Sequence, residues 1–214
     1  MRLYIAGGYH ITRPEKRIEA IEEALGDVDV VFVEAPRSDS PGIKTVMWNL
    51  FSVPVLVMTM YLWVGILTVW AAVVGKDDQQ VVTHLSEAHG AEVVHTDQNV
   101  HRLLVESRHL WVIGHGIVVL LAALAIPEFV DRLFTFTTLW MQLLTLTLFT
   151  GLGLFVLFLA GTLQSRNAKM ARDIEQYAVS HETVTACLIT GGHHASGIKR
   201  ILEENPNISL VEAE

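Results

Sequence analysis

The sequence predicts an α/β fold: a parallel or mixed sheet with flanking helices, interrupted by transmembrane helices. Three observations predict it. Short apolar or β-branched runs alternate with segments of helical period, the pattern of a sheet built from strand–helix units. Three long stretches carry no charge at all, in a chain of 214 residues that is 51% hydrophobic with a mean hydropathy of +0.39. Two segments at opposite ends mirror each other, Gly7-Gly8-Tyr9-His10 and Gly191-Gly192-His193-His194, each after a strand-like run and before a helix start. A Gly-rich turn in that setting lets backbone pass close to a ligand and aims a side chain at it.

Residues 1–44 read as strand, helix, strand. Leu3-Tyr4-Ile5 is the first strand. Thr12 with Glu15 forms a capping box, Pro14 suits the first helical turn, and Gly26 closes the helix. Ile18, Ile21 and Leu25 supply its apolar face. Residues 28–33 are nearly all apolar, as a parallel strand covered on both faces requires, and the run ends in Glu34. Residues 76–109 repeat the logic. Val81, Val82, Leu85 and Ala88 line one side of a helix that stops at Gly90, and a strand over 91–96 ends at Asp97. A helix bearing Val100, Leu103 and Leu104 follows. In residues 164–214, Met170, Ile174, Tyr177 and Ala178 make a helix face, and residues 184–189 a strand. Ile198, Ile201 and Leu202 mark a short helix, and residues 208–211 a last strand.

The uncharged stretches are residues 45–75, 110–127 and 133–165. Spanning a bilayer takes about 20 apolar residues, so the last two predict a transmembrane hairpin over 110–163 with Glu128 and Asp131 in its turn. Arg102, Arg108, Arg166, Lys169 and Arg172 flank its open end, which places that end, and the α/β part with it, in the cytoplasm of a multi-pass cell-membrane protein. Residues 45–75 are too few for two crossings of about 20 residues each. They read as a re-entrant or interfacial segment bent near Pro54, or as a buried helical cover. If instead they cross once, the site assembles between chains of a homo-oligomer.

A net charge of −8 excludes nucleic acid and anionic lipid as main partners, leaving ordinary membrane lipid around the apolar segments. The first eleven residues carry no signal-peptide core. The single Cys187, inside an apolar run, reads as a buried structural thiol.

Parallel strands put their carboxyl ends on one edge, where ligands of open α/β sheets bind. The residues at four predicted strand ends are His10, Glu34, Asp97 and His194. His10, Glu34 and His194 make a mixed N/O set for a divalent ion; the competing role of each His is to cap its helix. Glu34 is a ligand or general base, and Asp97 a second carboxylate or a turn former. Arg166 holds a carboxylate or an oxyanion, or merely flanks a span. His193 is a weaker second ligand. His84, His89, His95, His101, His109 and His181 share no metal-ligand spacing and read as surface or packing residues, and His115 as interfacial.

Taken in order, these residues resemble the TraB/PrgY/Tiki family of membrane-associated proteins. The resemblance rests on the two Gly-x-x-His turns, Val31-Phe32-Val33-Glu34, Gly197-Ile198 after the second turn, Gly90-Ala91-Glu92-Val93-Val94 with Asp97 close behind, and Arg166-Asn167 with Met170-Ala171. It implies a metal-dependent peptidase-like hydrolase, with manganese or cobalt at the site and a peptide or protein as substrate. Two features depart from the family pattern. Pro36 stands where an acidic residue is common, and the apolar segments interrupt the α/β part rather than follow it. The alternative function is a membrane protein that binds or sequesters a signalling peptide without cleaving it. A small transporter fits poorly, since the apolar part lacks repeats and buried ion pairs.

Overall fold

The computed structural model describes residues 1–8, 13–36, 42–74, 78–133, 139–181 and 183–212. Thr12 and His10 lie outside them. The chain divides into two compact units: Met1–Asp39, Trp70–Gln98 and Leu163–Glu214 in the first, Ser40–Val69 and Asn99–Thr162 in the second.

The first unit is built on five parallel strands: β1 (Arg2–Gly8), β2 (Val30–Pro36), β3 (Glu92–Asp97), β4 (Thr185–Gly191) and β5 (Ser209–Val211), in the order β3-β2-β4-β1-β5. The sheet is the parallel alternative of the two predicted. Its central strand β4 sends alternate residues to opposite faces. Cys187 and Ile189 pack with Ile21 and Leu25 of α1 (Pro14–Leu25) and Val81 and Leu85 of α4 (Asp78–His89). Ala186 and Leu188 pack with Met170, Ile174 and Ala178 of α7 (Leu139–Ser180) and Ile198 and Leu202 of α8 (Gly192–Leu202). Helices therefore cover both faces, which is why β2 before Glu34 and β4 between its two threonines carry only apolar residues.

Several local readings hold and others need correction. Pro14 opens α1, and Gly26 closes it at φ 73°, a conformation costly for any residue with a Cβ. The N-cap is Arg13 with no side-chain cap, and the Thr12 of the expected Thr12–Glu15 box lies outside the described residues. Ala88, expected on the packed side of α4, is exposed, because the face narrows to Val81 and Leu85 with Val82 at its margin. Arg17, on the packed side of α1, is buried. Its guanidinium donates to the Ala6 carbonyl at 2.6 Å and pairs with Asp78 of α4, tying two helices to β1.

The second unit holds α2 (Ile43–Ser52), most of α3 (Pro54–Val74), α5 (Val100–Glu106), α6 (Arg108–Leu133) and the first part of α7. The helix of Leu103 and Leu104 thus belongs with the apolar segments, not with the sheet, and both residues pack against Leu56, Val57 and Phe158. α2 and α3 break at Val53 and diverge by 117°. His101 joins the two arms: Asn49 Nδ2 lies 3.2 Å from its Nδ1, and Tyr61 Oη 2.9 Å from its Nε2. Among the described residues one helix, Thr147–Ser180, is long and apolar enough to cross a membrane, or two if the bent pair counts as one span. The described apolar part of α6, Arg108–Leu124, is shorter. α7 is one continuous helix, and the division between the two units falls within it, between Thr162 and Leu163, next to the boundary at 163–164 that the sequence predicts.

Candidate functional site

The first unit brings Glu34, Asp97, Arg166 and His194 together at the carboxyl edge of the sheet. The last pairs of β1 and β4 are Gly7↔Thr190 and Gly8↔Gly191, so the strand ends that lead into the two mirrored turns lie side by side. Glycine is needed at this approach: a Cβ on Gly7 would stand 2.5 Å from the Ala195 Cβ. His10 itself lies outside the described residues.

Glu34 owes its aim to an irregularity in β2. Val33 pairs with His95 but Pro36 with Asp97, so β2 carries one residue more than β3 across this step. Such a bulge bends a strand and redirects a side chain. The Thr96 hydroxyl donates to the Val33 carbonyl at 3.1 Å, occupying backbone at the irregularity. Glu34 Oε2 then accepts the Thr190 hydroxyl and the Gly191 amide, both at 2.7 Å, and Oε1 accepts Arg166 Nη2 at 2.9 Å. Burial pulls the Glu34 carboxyl upward. The Gly191 amide, the Thr190 hydroxyl and the charges of His194 and Arg166 outweigh it and hold the group below its ordinary value.

Asp97, the last residue of β3, is gripped by the same guanidinium. Arg166 Nε donates to Oδ1 at 3.1 Å and Nη2 to Oδ2, while the Gln98 amide donates to Oδ1 at 2.7 Å. Arg166 therefore bridges two carboxylates, and the view of it as a mere flank of a span does not describe its contacts. His194 stands in the first turn of α8, buried, with Nε2 3.2 Å from Glu34 Oε1 and Nδ1 2.5 Å from Asn167 Oδ1. Burial is the main cause that holds its pKa below the ordinary value, against the opposing pull of Glu34. His193, beside it, is exposed.

The donor chemistry suits a divalent cation in part. Two ligands on one ion at bond lengths of about 2.0–2.2 Å stand about 3.0–3.5 Å apart, and the His194–Glu34 separation falls in that range. Asp97 does not complete the set, being taken up by Arg166. Among the described residues no three His, Cys, Asp or Glu side chains converge as a metal site; His10, the third ligand the sequence predicts, lies outside them.

Two site residues carried no role in the sequence reading, Asn167 and Thr190. Asn167 enters the sequence analysis only as part of the Arg166-Asn167 pair in the resemblance, and Thr190 is marked only by its place before the Gly191 turn. Of the remaining histidines, His84 and His89 of α4 meet at one carboxylate oxygen of α1, Glu22 Oε1, at 3.2 and 3.3 Å. No protein-family model matches the chain, and neither a curated protein nor a solved structure shows significant similarity to it.

Proposed function

We propose that this chain is a membrane-anchored, metal-dependent peptidase-like hydrolase of the TraB/Tiki type, acting on a peptide or protein. The observation that carries the reading is the convergence of Glu34, Asp97, Arg166 and His194, from four distant segments, on one edge of a parallel sheet. Glu34 and His194, with His10, would hold the ion, manganese or cobalt by the resemblance. A bound ion of this kind polarises a substrate carbonyl and brings the pKa of water toward neutrality. Glu34, kept ionised by the Thr190 and Gly191 donors, suits ligation; Asp97 is the second carboxylate available to take a proton. Arg166 would turn part of its donor set from the carboxylates to negative charge developing on the substrate. The apolar helix Thr147–Ser180 supports a membrane anchor, and the bent α2–α3 pair a re-entrant segment beside a hairpin over 110–163. The basic flanks favour a cytoplasmic α/β part of a multi-pass cell-membrane protein.

One observation favours the second reading, a protein that binds a peptide without cleaving it. Arg166 already hydrogen-bonds both carboxylates, and Pro36 stands where the family pattern would add an acidic residue. Metal analysis of the purified protein separates the two: a hydrolase should carry close to one manganese or cobalt per chain and lose it in His10→Ala and in His194→Ala. Unchanged metal content in both folded variants would end the metal-site reading.

A further inference from the structure

We infer that Asn167 is a positioning residue that fixes the proton of His194 on Nδ1 and leaves Nε2 as the free base facing Glu34; the inference rests on the reading of His194 as a working residue of the proposed site. Asn167 and His194 are 7% and 6% exposed, and the contact between Oδ1 and Nδ1, at 2.5 Å, is buried. An amide oxygen carries no proton, so the imidazole must supply the one between them. The other ring nitrogen then keeps its lone pair.

Glu34 is held in place without a proton from Nε2, and Oε1, which among the described residues accepts only Arg166, keeps a lone pair toward the ring. Its two oxygens already receive three donors, from Thr190, Gly191 and Arg166. The lone pair of Nε2, 3.2 Å from Oε1, is therefore directed at the place where a proton or a cation would sit.

A second feature holds the amide in this position. Gly197, one turn beyond His194 on α8, faces Asn167: a Cβ there would stand 2.2 Å from Nδ2 and 3.1 Å from Cγ. His194 and Gly197 are three residues apart and share a helix face. The spacing His-x-x-Gly thus seats an amide from α7 between an imidazole and a bare backbone. Arg166 and Asn167 divide the work of that stretch of α7, one on the carboxylates and the other on the ring. Partners of this kind set which nitrogen of a histidine remains available.

The test is the nitrogen-15 NMR spectrum of the imidazoles in the full chain, in micelles, free of metal and at a pH where His194 is neutral. Its signals are identified as those lost in His194→Gln. The wild type should show a pyrrole-type Nδ1 and a pyridine-type Nε2. Asn167→Ala should move both toward the averaged shifts of mixed tautomers, and Asn167→Asp, which restores an acceptor, should return them. Gly197→Ala should reproduce the Asn167→Ala spectrum without altering either partner. A wild type protonated on Nε2 overturns the inference whether or not the Asn167 and Gly197 variants fold; so do unchanged shifts in both Asn167→Ala and Gly197→Ala. The spectrum is independent of the proposed activity. The expected shifts in a protein that binds no metal and cleaves nothing support the inference while the hydrolase reading fails. An Nε2 proton in an active metalloprotein does the reverse.

Discussion

Removing the Arg166 guanidinium should expose how much of the site is held by charge. Arg166→Met keeps most of the stem and deletes one donor contact to Glu34 and two to Asp97. Breaking a buried pair by removing one partner costs about 3–5 kcal/mol, because the other charge stays behind unpaired. The lower end applies, since Arg166 and Glu34 each keep 15% side-chain exposure and water can reach the vacated position. About 3 kcal/mol in a chain of this size lowers Tm by on the order of 10 °C. The sign of the pH dependence follows from Glu34. Its pKa is lowered in the fold, so its stabilisation is present above the unfolded value and is lost as pH falls through the folded one. The gap between wild type and variant should be widest at neutral pH and shrink through the acidic carboxylate range. Thermal unfolding of both proteins in the same micelles, across pH, measures it. The triple variant Arg166→Met, Glu34→Gln, Asp97→Asn, with no charge left to strand, should recover most of the loss. A gap that does not change with pH, or a triple variant no more stable than the single one, would refute the electrostatic account.

Three other outcomes are expected. Glu34→Gln keeps the acceptors for Thr190 and Gly191 but removes the negative charge; if the chain is a hydrolase, turnover should fall by roughly 10²–10⁴-fold, and wild-type activity in the variant would exclude Glu34 from the chemistry. Gly7→Ala should destabilise by about 1–3 kcal/mol or more through collision with Ala195, measured by the same melts, and a neutral result would mean that the β1–α8 approach is looser than 2.5 Å implies. Lys16→Cys and Arg172→Cys sit on exposed helix positions of the sheet unit, unlike buried Arg17, and both should resist an impermeant thiol reagent in intact cells and react once the membrane is opened. Cys187 can stay in place, since it is fully buried and burial pushes its thiol up to about 12. Labelling of Lys16→Cys alone from outside would mean that residues 45–75 cross the membrane once and that one chain cannot assemble the site.

The sequence by itself determined the strands, most helix ends and the edge on which the ionisable residues gather. Runs such as residues 28–33 and 184–189 can be satisfied only by strands covered on both sides. Gly26 and Gly90 close their helices because positive φ is cheap only there. Once the strands are parallel, Glu34, Asp97 and His194 must share a rim, whatever the strand order. What the tertiary structure decided depends on partners far away in the chain. The order β3-β2-β4-β1-β5 sets Gly8 beside Gly191, and the extra residue in β2 turns Glu34 toward α7 and α8. Neither leaves a periodic trace in the residues concerned. Arg17 and Asn167 look like ordinary polar residues on helices; one is buried by carbonyls and an aspartate, the other by an imidazole and the missing side chain of Gly197. Periodicity reports which face of an element is apolar. It carries no record of which polar group meets which across the fold, because that pairing is fixed by packing between elements and not along them.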